Sequence, residues 1–288
     1  MKRILYISLL TCLLAACTKQ VPAPKEDFSR EGFTLLTADI EALRLGEGQA
    51  RKWVEGDAIG LFGSEQGKNE RYLLREADRG LANGTFYGPL VKGSSAAAYF
   101  PWERSFSGSA EGLSAQLSAD QHYDAAKGPE QQFLTYCPTA FAFLTDGTFK
   151  FRYPFGMLEV LINLEDQLTI LSVSLTDNAQ PLAGQAVVSA DGVSLAEGAW
   201  NTLSLDCGEG VSIRDGSALR PFYLVLPAGN RSNLTLQLSI KGETEPMNVQ
   251  LKELNIPRIE TTRFTIGSVI VQSTGPASFE PINVTFDE

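Results

Sequence analysis

"NLTLQLSIKG" occupies residues 233–242, and its letters alternate without a break. Leu234, Leu236, Leu238 and Ile240 fall on one side; Thr235, Gln237, Ser239 and Lys241 fall on the other. Successive side chains of an extended strand point to opposite faces. A period of two therefore predicts a half-buried strand with one face on a core and one in water. Similar short runs recur along the chain: "FTLLTADI" (33–40), "DAIGLF" (57–62), "GTFYGPL" (84–90), "AAAYFP" (96–101) and "LSAQL" (113–117). They continue through "TFKFRYPFGMLEVLINL" (148–164), "LTILSVSLT" (168–176), "PFYLVLP" (221–227), "NVQLKEL" (248–254) and "RFTIGSVIVQ" (263–272). No window of 12 or more residues carries a helical period. Many short strands separated by Gly, Asn, Asp and Pro predict an all-β chain built of antiparallel β-sandwiches.

Turn chemistry points the same way. "TDGT" (145–148) and "SADGVS" (189–194) hold Asp-Gly pairs, whose glycine takes positive φ readily in a hairpin. The first pair lies between "FAFL" (141–144) and the long apolar stretch from Phe149, and a domain break is expected near Asp146. That division gives an N-terminal β-sandwich over 29–146 and a C-terminal one over 147–288. "GEGQAR" (46–51) reads as the loosest loop of the folded part.

The N-terminus is of another kind. Lys2 and Arg3 precede an apolar run from Ile4 to Ala16, about 13 residues where a bilayer span needs roughly 20. A charged start, a short apolar middle and small residues at the end describe a signal peptide, residues 1–16. Leu14-Ala15-Ala16-Cys17 resembles the lipobox read by bacterial lipoprotein signal peptidase. The resemblance implies cleavage before Cys17 and acylation of that residue; the alternative is an ordinary signal peptide with an incidental cysteine. Two or three acyl chains anchor a protein stably, whereas one does so only marginally. Residues 17–28, with two prolines and no apolar period, read as a lipidated tether.

Without residues 1–16 the chain keeps 22 basic and 34 acidic residues, a net charge of −12. Such a surface is a poor partner for nucleic acid, whose phosphates require Lys and Arg. Cys137 and Cys207 lie 70 residues apart, with no CxxC and no histidine at metal spacing. They are either two buried thiols or, in an exported protein, a disulfide. The single histidine, His122, has no nucleophile motif beside it and reads as an exposed loop residue. No phosphate loop, HExxH or calcium-binding ladder is present. The sequence thus offers no catalytic residue, no metal ligand set and no cofactor site.

Several phrases, in order, resemble the fimbrillin (Mfa-like) family, the pilus subunits and anchors of Bacteroides-type bacteria. They are "W-x-x-GD-x-IGLF" (Trp53 to Phe62), "AYFPW" (98–102), "L-x-A-x-L-x-x-DQ" (113–121), "F-x-F-x-x-x-x-GMLEVLI" (149–162) and "FYLVLPAGN" (222–230). Trp53, Ile59, Leu61 and Phe62 are expected in the N-terminal core, with Gly56-Asp57 turning into it and Pro101 ending a strand. The resemblance implies two tandem transthyretin-like β-sandwiches and a role as subunit or anchor of a surface fibre on the outer membrane. The implied partners are other fimbrial subunits, of the same or a paralogous chain, and an adhesion target. It also implies strand exchange. A protease cuts after an arginine, the first strand leaves, and a neighbour's strand fills the groove by β-augmentation. Residues 32–40 are the candidate first strand, and Arg44 or Arg51 the cleavage point. The tail 279–288, alternating Ile282, Val284 and Phe286, is the candidate donor. Both ends could equally be ordinary strands of the subunit's own sheets, and an uncleaved anchor is equally compatible. The rival reading is a carbohydrate-binding surface lipoprotein of a polysaccharide-uptake system, for which Tyr87, Trp102, Tyr123 and Trp200 are the candidate platforms.

Overall fold

The computed structural model describes residues 33–45, 51–65, 67–164, 166–251 and 253–267. In the first half these form β1 (Phe33–Ile40), β2 (Ala58–Gly63), β3 (Glu70–Leu74), β4 (Asn83–Pro89), β5 (Ala96–Phe100), β6 (Leu113–Leu117) and β7 (Asp120–His122). A short helix α1 (Pro129–Tyr136) follows, then β8 (Ala140–Thr145) and β9 (Thr148–Phe151). Seven strands close into a barrel in the order β1-β4-β3-β2-β5-β8-β9. Closure rests on β1, antiparallel to β4 over seven residue pairs and parallel to β9 over Thr37–Ile40 against Thr148–Phe151. The first half is thus a closed barrel and not an open two-sheet sandwich.

The barrel interior explains the pattern of large and absent side chains. Trp53 lies at its centre, edge-on to Phe86 (4.9 Å), Phe100 (5.1 Å) and Phe151 (5.9 Å) between ring centroids. Space for it comes from β4, where a Cβ on Gly84 would sit 2.8 Å from the indole; one on Gly88 would sit 2.5 Å from the Tyr72 ring. Trp53, Ile59 and Leu61 fill this core as expected. Phe62 does not: it packs outside the barrel with Ala97, Tyr99, Leu113, Phe141 and Val188. The reason is register, since alternation within β2 sends Phe62 to the face opposite Leu61.

Asp146-Gly147, where the sequence suggested a boundary, is the turn of the β8–β9 hairpin, both residues at positive φ. β9 still belongs to the barrel, so the chain leaves it only past Phe151.

The second half contains β10 (Phe155–Ile162), β11 (Thr169–Asp177), β12 (Gly184–Ser189), β13 (Gly192–Leu195), β14 (Thr202–Ser212) and the two-residue strands β15 (Arg214–Asp215) and β16 (Ala218–Leu219). Next come β17 (Pro221–Pro227), β18 (Gly229–Arg231), β19 (Leu234–Ile240), β20 (Met247–Leu251), β21 (Leu254–Ile256) and β22 (Thr261–Ile266). A sheet β17-β10-β22 and a sheet β20-β19-β11-β14-β7 share one apolar core. The alternation of 234–240 holds: Leu234, Leu236, Leu238 and Ile240 are all buried in it. β10 is buried on both faces. Leu158, Val160 and Ile162 enter this core, while Phe155 and Met157 pack with the barrel residues. That double burial accounts for the near-continuous apolar run "FGMLEVLI".

Two strands from the first half tie the halves together. β7 pairs in parallel with β14, and β6 pairs with β12. The buried Gln121 donates from Nε2 to the Val225 carbonyl (2.7 Å) and accepts from the Val225 N–H (3.0 Å). The helix α1, absent from the sequence reading, begins with Pro129 at its first position after Gly128 and buries Phe133 and Gln132. At eight residues it is too short to display a helical period.

Candidate functional site

β1 is the element on which a site can be built. Its alternation is regular: Leu36, Ala38 and Ile40 are buried, while Leu35 and Thr37 face out. Burial of Leu36 and Ile40 is worth about 1.5–3 kcal/mol each. The Ala38 carbonyl accepts a hydrogen bond from Trp53 Nε1 at 3.3 Å. Because that acceptor is main-chain, any strand occupying this slot could supply it. Ala38 pairs with Gly84 on one side and Phe149 on the other. Removing β1 would therefore expose two strand edges and an aromatic-lined slot together.

Immediately after β1 the chain runs along the second half. Glu41 N–H donates to the Phe151 carbonyl (3.0 Å), and Arg44 N–H donates to the Ile259 carbonyl (2.9 Å). Glu41 also meets Arg258 at 3.0 Å. The two candidate cleavage arginines differ sharply. Arg44 has a side chain 74% exposed, tied among the described residues by its ion pair to Glu260 at 2.9 Å. Arg51 is held: Nη1 donates to the Tyr153 hydroxyl (2.7 Å), and its guanidinium lies 4.7 Å from the Phe100 ring centroid. Burial raises the Tyr153 pKa although the Arg51 charge pulls it down, so the phenol stays neutral beside the arginine. Leu43 and Leu45, flanking Arg44, are buried, so a protease must loosen this segment to reach its backbone.

The turn into β2 is a second fixed point. Asp57 accepts the Val54 N–H at 2.8 Å, with Gly56 at positive φ. Burial raises the Asp57 pKa against the opposing effects of that hydrogen bond and of Arg51.

Other sequence candidates are not brought together. Cys137 and Cys207 are free, buried thiols in separate cores, which removes the disulfide alternative. Burial raises both, Cys207 to about 12. His122 is in β7 and not in a loop, with its side chain exposed and Nδ1 3.5 Å from Asp206. Among the described residues no group of three or more His, Cys, Asp or Glu could hold a metal. Of the four aromatic platforms, Tyr87 stands half-buried on β4, Trp102 lies under Arg71 (4.7 Å), and Tyr123 packs on Phe222 (5.5 Å). Trp200 alone is widely exposed, at 64%. Cys17, the tether, and Ile282, Val284 and Phe286 lie outside the described residues.

The sequence reading missed the partners of β1: Trp53 as hydrogen-bond donor, Gly84 as the space beside it, and Ile259-Glu260 as the anchor of Arg44. These contacts span 15 to 216 positions, and no local signal announces them.

No protein-family model matches the chain, and no curated protein matches it. Solved structures do. A candidate cell-adhesion protein from Bacteroides ovatus superposes with a TM-score of 0.53 at 14% identity, over 90% of this chain and 97% of the other. A candidate cell-adhesion protein from Bacteroides uniformis gives 0.43 at 14% identity, over 82% and 93%. The C-terminally truncated tip fimbrial protein Mfa3 from Porphyromonas gingivalis gives 0.42 at 11% identity, over 84% and 96%. At 14% identity the first of these likenesses is one of fold.

Proposed function

We propose that this chain is a lipid-anchored subunit or anchor of a bacterial surface fimbria, with a structural and not a catalytic role. In this reading Cys17 carries the acyl chains, residues 17–28 are the tether to the outer membrane, and the two halves are tandem β units, of which the second keeps the transthyretin-like two-sheet form. Its partners are further fimbrial subunits and an adhesion target. The order of family-like phrases and the fold shared with the Bacteroides ovatus protein support a surface role. The observation that carries the mechanism is that one strand, β1, both closes the barrel and is followed at once by the exposed Arg44.

Strand exchange then takes a definite form. Cleavage after Arg44 frees β1, whose departure leaves the β4 and β9 edges unpaired and the Trp53 slot open. An alternating strand from a neighbour, residues 279–288 with Ile282, Val284 and Phe286 facing in, takes its place. Main-chain hydrogen bonds supply affinity and alternate pockets supply register. Arg51, engaged by Tyr153 and Phe100, is the poorer cleavage point of the two.

Limited trypsin treatment of the full chain in detergent tests this. The first clip is expected after Arg44, followed by ladders that resist mild denaturant, and deletion of 279–288 should abolish the ladders. Arg44→Gln should delay the clip. A clipped chain that stays monomeric would overturn the exchange mechanism and leave an uncleaved anchor.

A further inference from the structure

β1 turns its inward residues to the barrel in the order large, small, large: Leu36, Ala38, Ile40. The small one sits where the interior is most crowded. Ala38 is fully buried and is paired with Gly84 on β4 and with Phe149 on β9. Trp53 is wedged against this row. Its Nε1 lies 3.3 Å from the Ala38 carbonyl and would lie 3.0 Å from a Cβ on Gly84. Leu74 of β3 closes the same spot, with Cδ1 2.8 Å from that Cβ. Interiors are close-packed, so an indole held against a glycine and an alanine leaves no room for added methyl groups. The flanking positions differ. Leu36 stands opposite Phe86 on β4 and Ile40 opposite Phe151 on β9, and both already hold a large side chain.

Any strand that replaces β1 meets the same sequence of sizes. The tail of this chain does not match it. One of its alternating sets is Ile282, Val284 and Phe286; the other is Asn283, Thr285 and Asp287. The first set puts Ile, Val or Phe onto Trp53 in every register that keeps at least two of the three inside, and in either strand direction. The second set carries polar groups into an apolar core, at the cost of their desolvation. Neither offers a small residue for the Ala38 position.

We infer that Trp53 makes the Ala38 position a size filter, and that the donor this barrel takes best is a strand of a paralogous subunit with glycine, alanine or serine between two large apolar residues. The inference rests on the strand-exchange reading and names the partner within it. A second copy's tail enters only by forcing the indole aside, and overpacking of a filled core costs affinity. Selectivity arises from the clash offered to the wrong strand as much as from the contacts offered to the right one. An unlike neighbour is therefore favoured over a second copy.

Two measurements test it. In the intact chain, Ala38→Val should lower the urea midpoint and speed the tryptic clip after Arg44, while Ala38→Ser should leave both near the parent's. In a Trp53→Phe background the smaller ring should let the same Ala38→Val change pass at little further cost, which assigns the filter to the indole. The second measurement uses the full chain treated with trypsin in detergent. Synthetic peptides of residues 279–288, which hold no Lys or Arg, compete with the tails for the opened slot, read as suppression of ladders. One of the three single-alanine peptides, Val284→Ala where Val284 lies on Trp53, should act at about one-tenth of the concentration that the parent peptide needs, as expected when overpacking is relieved. The other two should need more than the parent, having lost a large side chain where the slot holds one. An Ala38→Val chain as stable as the parent, a valine cost that persists beside Trp53→Phe, or a parent peptide that outcompetes all three alanine peptides would each overturn the filter. Absence of ladders from the trypsin-treated parent chain would instead fail the exchange reading, and the Ala38 variants would still judge the filter.

Discussion

The barrel and the second half solve the same problem in different ways. Both are β-structures around an apolar core, but the barrel has no free edge while the sheets of the second half end openly in β17, β22 and β20 among the described residues. Closure makes the barrel depend on one strand: losing β1 uncovers two edges, whereas losing an end strand of an open sheet uncovers one. The interiors differ too. The barrel is filled by aromatic rings against glycines, whereas the second half buries an ion pair, Arg231–Asp177, at 3.3 Å with side-chain exposures of 3% and 1%. A hydrophobic, strand-closed unit suits exchange of that strand. A unit fastened by buried charge suits permanence.

The largest test of this contrast is Trp53→Ala. Trp53 is fully buried, touches three aromatic rings and bonds to β1. Truncating it should cost toward the upper end of about 3–5 kcal/mol, read as a fall in the urea midpoint by circular dichroism. The same variant should speed tryptic release of residues up to 44, because the slot loses its grip on β1. A large loss of stability without faster release would mean that the strand is not held from inside the barrel.

Arg231→Met probes the other half. Nη1 contacts Asp177 Oδ2 and the Pro181 carbonyl, both at 3.3 Å, and Nη2 donates to the Pro227 carbonyl at 3.2 Å. Removing the arginine leaves a buried carboxylate, at a cost toward the lower end of about 3–5 kcal/mol. The lower end applies because Asp177 Oδ1 keeps the N–H groups of Ala179 (2.8 Å) and Gln180 (3.1 Å). Release of β1 should be unchanged. Faster clipping after Arg44 in this variant would erase the distinction between the halves.

What was legible in the sequence follows from the range of the interactions. Strands with clean alternation, such as 33–40 and 234–240, announced themselves because their pattern is local. Strand β3, "ERYLL", was passed over because its two inward residues, Tyr72 and Leu74, are framed by Glu70 and Arg71 in too short a run to show a period. Barrel closure was invisible for a stronger reason: β1 and β9 meet across more than a hundred positions. The Asp-Gly at 146–147 is legible as turn chemistry, but a hairpin inside a unit uses the same residues as a break between units, so the pair alone does not place a boundary. Within the candidate site, Arg44 and Arg51 looked equivalent by composition. Only Tyr153 and Phe100, distant in sequence, separate them.

The smallest expected effect is an alkaline one, and it compares the halves by titration. In the barrel, burial raises Tyr72, Tyr99, Tyr153 and Cys137. In the second half, burial lifts Cys207 from 9.0 to about 12, helped by the charge of Asp206, and lifts Tyr223 from 10.0 to about 12, helped by Glu159. Each group is an acid that ionises more readily in the unfolded chain. The unfolded state therefore sheds protons first, and stability falls as pH rises. It is fully present below about pH 7.5, where thiols and phenols are protonated in both states. The loss runs from there toward pH 12, until the folded groups also ionise. Urea midpoints should hold from about pH 6 to 7.5 and decline from about pH 8 to 11. Tyr223→Phe should flatten the decline slightly, because Tyr223 is only partly buried and solvent screens its share. In a Trp102→Phe, Trp200→Phe background, Trp53 fluorescence reports the barrel alone, which carries four such groups against two. Its midpoint should fall at least as steeply as that seen by circular dichroism. A flat profile to pH 11, or a barrel less sensitive than the whole chain, would show that these protons do not control folding in the way their burial requires.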